Sequence, residues 1–165
     1  MNEFLTAIGY MHWVLPVLLA IPTVGAIVIW LQGLPGRGAP GEDDVASGIA
    51  APPRTMAFIT FLAEFIVSLG LWWSYDATNP GWQAVFDVSW IPSWGIHFRI
   101  GIDGISLMMI LLTTFIMPLA VLGSWTSIRK RAHTYYALLL ILTAGMLGVF
   151  LSLDLFLFYV MWEVM

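Results

Sequence analysis

The chain has 165 residues, of which 60% are hydrophobic and only 10% charged, with a mean hydropathy of +0.90. Soluble domains carry about a quarter of their residues as charged side chains, so this composition excludes a water-soluble globular protein and names the lipid bilayer as the solvent. The formal net charge of −4 comes from six basic and ten acidic residues with no large basic cluster, which excludes nucleic acid as a partner. With no cysteine present, disulfides, thiolate metal sites and cysteine nucleophiles are excluded together.

In chain order, the first residues, MNEFLTAIGYMHW, contain Glu3 and neither Lys nor Arg. They lack the basic n-region of a cleavable signal, so the first apolar run is expected to stay in the mature protein. Four runs are long enough to cross about 30 Å of hydrocarbon as helices of about 20 residues: residues 13–31, 56–73, 105–125 and 135–153. Trp13, Trp30, Trp72, Trp73, Trp125, Tyr135 and Tyr136 stand at their ends, where an amphipathic ring keeps its polar atom among the headgroups. Pro16, Pro22 and Pro118 fall inside spans and predict local curvature.

Between the first two spans, GLPGRGAPGEDDVASGIAAPPR reads as a connector rich in Gly and Pro with a solvated acidic trio, Glu42, Asp43 and Asp44. Arg37 and Arg54 lie in or beside this loop and Arg129, Lys130 and Arg131 in the third, against Arg99 alone in the second. The positive-inside rule then puts the first and third loops in the cytoplasm and the N-terminus outside.

The second loop has a different texture. FDVSW and IHFRIGI alternate apolar and polar residues on either side of Ile91-Pro92-Ser93-Trp94-Gly95, the pattern of a half-buried hairpin. Pairing Trp90 with Ile96 would put Asp87 opposite Arg99 and Ser89 opposite His97, with Phe86, Val88, Phe98 and Ile100 sharing the other face. A lone His97 on the wet face reads as solvated rather than as a ligand, and His12 and His133, near the interfaces, read the same way.

Two carboxylates stand out. A fifth span begins at Asp154, and Glu163 lies nine residues on, about 13.5 Å along a helix and so near the bilayer midplane. A carboxylate at that depth costs several kcal/mol unless it is protonated, paired or wet, which makes it a candidate group on a proton path. Glu64 sits near the middle of the second span, ten residues from Arg54, and is a candidate second membrane carboxylate. Residues 154–165 cover only about half of a bilayer, so the fifth helix is expected to continue beyond Met165 and the 165 residues to be one transmembrane region of a larger subunit. The fold class expected is an all-α, multi-pass transmembrane helix bundle, with four complete spans, an incomplete fifth and a short external β-hairpin between spans two and three.

GVFLSLDLFLFYVMWEVM, from Gly148, and IGIDGISLMMILLT, from Ile100, closely resemble the amino-terminal part of the chain M and chain 4 family of NADH-quinone oxidoreductase, respiratory complex I. WIPSWGIHFRIGIDG, from Trp90, and GSW, at Gly123 to Trp125, add weaker support. These antiporter-like subunits form a group that includes multisubunit sodium/proton antiporters, and a subunit of such an antiporter, of a membrane-bound hydrogenase, or a structural membrane protein is the alternative. The resemblance implies proton translocation coupled to electron transfer from NADH to quinone, in a bacterial inner (plasma) membrane, beside the other membrane subunits of complex I. It also implies that Glu163 matches the family's membrane glutamate, which pairs with a lysine. That lysine has no match here, since Lys130 is the only one and lies in a loop. Glu64 has no counterpart in the family pattern, and Asp103 and Gly104 match an Asp-Gly element that reads as a helix cap. No Gly-rich dinucleotide fingerprint and no cysteine set occur, so NADH, FMN, iron–sulfur clusters and quinone are expected on partner subunits and no cofactor or metal on this chain.

Overall fold

The computed structural model describes residues 2–34, 52–128 and 130–165. Arg37, Arg129, the acidic trio and most of the connector between the first two spans lie outside the described residues. A short helix, α1 (Asn2–Ala7), precedes α2 (Tyr10–Gln32). Then follow α3 (Pro53–Ser74), strands β1 (Gln83–Ile91) and β2 (Ile96–Ile102), α4 (Gly104–Ser124), α5 (Ala132–Leu151) and α6 (Leu155–Val164).

Four of these helices, α2 to α5, are long and apolar enough to cross a membrane. α2 and α3 enclose their expected spans, and α4 and α5 do so but for the last residues: Trp125, Ser152 and Leu153 fall beyond the helices that were to hold them. α2 packs against α5 and α3, α3 against α4, and α6 against α5. Pro22 and Pro118 are buried within helices that remain continuous around them.

The ends of the helices sort into two sets. At one end a side chain added at Gly33 would meet His133, and the Arg54 guanidinium lies over the Trp125 ring, 5.3 Å from its centroid. At the other, the Tyr10 hydroxyl donates to the Val67 carbonyl and the hairpin covers the ends of the bundle.

Two apolar clusters fill the interior. One joins Val14, Leu15 and Leu18 to Leu71, Ile110, Leu147 and Leu151 near the hairpin. The other joins Ile29, Phe61, Val121, Tyr136 and Leu140 at the opposite end. Burying such side chains is worth about 1.5–3 kcal/mol each against water, but in lipid the fit between helices carries the association instead.

The hairpin forms where the alternation places it. Asp87 pairs with Arg99 and Ser89 with His97, as the pattern predicts. The end differs: Ile91, not Trp90, pairs with Ile96, and the register shifts between Ser89 and Ile91. Trp90 is thus the extra residue of a bulge. The cause is the turn, in which Pro92–Trp94 form a single 3-10 turn and Gly95 takes φ +66°, a value that a Cβ disfavours. A second shift lies between Gln83 and Phe86, where Ala84 has φ +53°.

Candidate functional site

The site is built from the α5–α6 junction. Ser152 leaves the helix with ψ 125°, so the span expected to reach residue 153 stops at Leu151. Ile100 of β2 forms an antiparallel bridge with Ser152, and the Leu153 amide donates to the Arg99 carbonyl at 2.9 Å. The junction therefore behaves as a short third strand on the free edge of β2. Gly101 permits this approach, because a Cβ there would lie 2.7 Å from Leu153 Cδ1.

Asp154 ends that strand and caps α6. Its Oδ1 accepts the amides of Phe156 at 2.9 Å and Leu157 at 3.2 Å, two donors that a helix start otherwise leaves unsatisfied. The Leu157 amide, with help from those of His97 and Phe156, holds the Asp154 carboxyl below the usual carboxylate range. His97 belongs to the same corner: its Nδ1 lies 2.7 Å from Asp87 Oδ1, and Arg99 Nε lies 3.5 Å from Asp87 Oδ2. The exposed His97 is thus paired as well as solvated. Asp103 caps α4 in a reciprocal capping box with Ser106, and the Ser106 amide draws its carboxyl downward too.

From this corner α6 runs back along α5, its approach set by two glycines. A Cβ at Gly148 would lie 2.5 Å from Met161 Sδ, and one at Gly145 would lie 3.1 Å from the Met165 backbone nitrogen. Glu163 comes two residues after Met161, about 200° further round the helix, and so faces away from α5. It is exposed, at the height of Gly145 and Gly148 and beside a face that shows Leu155, Tyr159 and Trp162.

Glu64 is placed differently. It sits in the buried stripe of α3, Ala57, Phe61, Glu64, Ser68 and Leu71, with 0% of its surface exposed. Neither carboxyl oxygen has a hydrogen-bond partner among the described residues. Arg54 does not pair with it, being stacked on Trp125, and the structure does not bring Glu64 and Glu163 together. The hydroxyls buried around this level, Ser68, Thr114 and Thr143, were not singled out from sequence. Their signal is a polar residue at a buried position of each helical stripe.

These helices and their hairpin define a multi-pass α-helical membrane protein. Residues 55–153 match the family described as NADH-ubiquinone oxidoreductase chain 4, amino terminus, and the chain belongs to that family. It is 37% identical over 157 residues to NADH-quinone oxidoreductase subunit M of Escherichia coli (strain K12), across 92% of this chain and 28% of that protein. It is 38% identical over 154 residues to subunit M of Rhodobacter capsulatus, across 93% and 28%. To NADH-ubiquinone oxidoreductase chain 4 of Arabidopsis thaliana it is 39% identical over 110 residues, across 67% and 22%. The chain thus spans less than a third of the length of these relatives, and the family match ends at Leu153, ahead of α6.

Proposed function

We propose that this chain serves in the proton-translocating membrane subunit of a bacterial NADH-quinone oxidoreductase, residues 1–165 being one transmembrane region of a larger subunit. The observation that carries the reading is Glu163: a carboxyl on an apolar helix, held at a fixed height relative to α5 by the Asp154 cap and the Gly145 and Gly148 contacts, and turned away from α5. A group so presented is ready to meet a cation supplied by another helix. A positive charge about 4 Å away is worth roughly 4 kcal/mol at an effective dielectric of about 20, enough to drive a carboxyl to release or accept its proton as that charge approaches or withdraws.

On this reading Glu163 is the proton-path residue, and NADH, FMN, the iron–sulfur clusters and quinone are held by partner subunits. The other membrane subunits of the complex are its protein neighbours. The chain lies in the inner membrane with its N-terminus and the hairpin outside and the loops after α2 and α4 in the cytoplasm, as the positions of Arg54, Lys130 and Arg131 against Arg99 favour.

The test is Glu163→Gln in the native complex. NADH-driven acidification of membrane vesicles should be lost while the subunit still assembles. Normal acidification with the variant in place overturns the role of Glu163, and loss of assembly with loss of acidification favours a structural carboxyl instead.

A further inference from the structure

The two apolar clusters do not meet as one continuous core. On α3 the buried stripe passes from Phe61 to Leu71 through Glu64 and Ser68; on α4 it passes from Ile110 to Met117 through Thr114; on α5 it passes from Leu140 to Leu147 through Thr143. All four polar residues are 0% exposed. They form a polar layer across the middle of the bundle, walled by apolar side chains on both sides. Ser68 Oγ lies 2.8 Å from Thr114 Oγ1, which ties α3 to α4 within the layer.

Ser68, Thr114 and Thr143 are each satisfied by a carbonyl of their own helix, those of Phe65, Ile110 and Leu139. Glu64 is the exception, with both oxygens unpartnered. The two buried prolines border the same layer. Pro22 and Pro118 have no amide to give the carbonyls of Leu18 and Thr114 four residues earlier.

An ionised carboxylate without donor or counter-charge is not sustainable in such a place. The described basic side chains stand elsewhere: His12, Arg54, Lys130, Arg131 and His133 at or near helix ends, and His97 and Arg99 on the hairpin. Arg54 is ten residues from Glu64, about 15 Å along α3. Among the described residues no side chain supplies a counter-charge to Glu64, and a proton or a small cation can take that place. A cation of sodium's kind needs several oxygens converging on it, and among the described residues Glu64 belongs to no group of three or more His, Asp or Glu side chains that could hold a metal ion. A proton needs one oxygen.

We propose that Glu64 is a second proton-binding carboxyl of this chain, set in the buried layer formed with Ser68, Thr114 and Thr143 and separate from Glu163. It binds its proton whether or not Glu163 carries the role given above.

Hydrophobic carbodiimide reacts with a carboxyl that holds a proton in an apolar setting. At pH 7 a solvated glutamate is about 99% ionised, so native membranes treated at that pH and mapped by peptide mass spectrometry report the protonated site. Labelling at Glu64 should exceed that of the exposed Asp87 by at least about tenfold, should persist in Glu163→Gln, and should be unaffected by sodium chloride. Protection by sodium at constant ionic strength would assign a cation in place of the proton and overturn the proposal. Infrared spectroscopy of the purified complex covers the case of a reagent that cannot reach the layer: a protonated-carboxyl carbonyl band should be present at pH 7 and missing from Glu64→Gln. Identical spectra from the two proteins would overturn the proposal as well.

Discussion

The amide of Leu153 donates to the carbonyl of Arg99 at 2.9 Å, joining the α5–α6 junction to the outer edge of the hairpin. With the Ile100–Ser152 bridge beside it, this bond fixes where α6 starts, and Asp154 fixes how it starts.

Asp154→Ala should therefore lower the thermal midpoint of the detergent-solubilised protein, and Asp154→Asn should retain most of it, since an amide oxygen still caps. Thermal unfolding of the three proteins checks this. Equal midpoints for Ala and wild type would mean that the strand-like bonds hold the junction without the cap.

The pH dependence has a definite sign. Hydrogen bonds from the Leu157 and Ser106 amides hold the Asp154 and Asp103 carboxyls below their ordinary range. A group depressed on folding stabilises the fold above its unfolded pKa, about 3.9, and the contribution disappears as the pH falls through the folded value. The midpoint should drop as the pH is lowered below about 4, and the drop should be shallower in Asp154→Asn, as a titration of melting temperature would show.

Gly148→Ala places a methyl 2.5 Å from Met161 Sδ and 2.6 Å from its Cγ. Overpacking of this kind costs about 1–3 kcal/mol, and Met161→Ala in the same chain should restore part of it by making room. Chemical denaturation of the two singles and the double measures the coupling. Additive losses would mean that α5 and α6 do not touch there.

Thr114→Val removes one side of the Ser68–Thr114 contact and should cost about 0.5–1.5 kcal/mol, because Ser68 keeps its bond to the Phe65 carbonyl. Adding Ser68→Ala should cost less than it does alone. A double-mutant cycle with zero coupling would remove the link between α3 and α4.

At Glu163, the shorter Glu163→Asp keeps the carboxyl and withdraws it by one methylene. NADH-driven acidification should fall but remain measurable, lying between wild type and Glu163→Gln. A loss as complete as that of Gln would mean that reach matters as much as charge.

Much of this architecture was legible because the signals are local. Runs of apolar residues bounded by Trp and Tyr gave the four long helices, and period-two alternation gave the Asp87–Arg99 and Ser89–His97 pairs. Asp103 read as a helix cap because a short acidic side chain satisfies amides just ahead of it, and Asp154 read as the start of the fifth span, its capping bonds appearing only in the structure. What was not legible depends on distant partners. Trp90 became a bulge because of the Pro92–Gly95 turn, Ser152 left α5 because β2 had an edge to offer, and the mid-bundle layer exists only when α3, α4 and α5 are side by side. Glu163 was visible as a charge in an apolar run, but its direction, away from α5, came from the Gly148–Met161 contact.

Three residues join α5 to α6, and all three bond to β2: Ser152 through its bridge to Ile100, Leu153 through its amide, and Asp154 by accepting the His97 amide. Neither helix can slide along its axis while the other stays in place, for the linker has no slack to give. An axial push on the helix that carries Glu163 reaches the hairpin as a pull on Arg99 and Ile100, so motion of α6 and strain in β2 are two ends of one mechanical element.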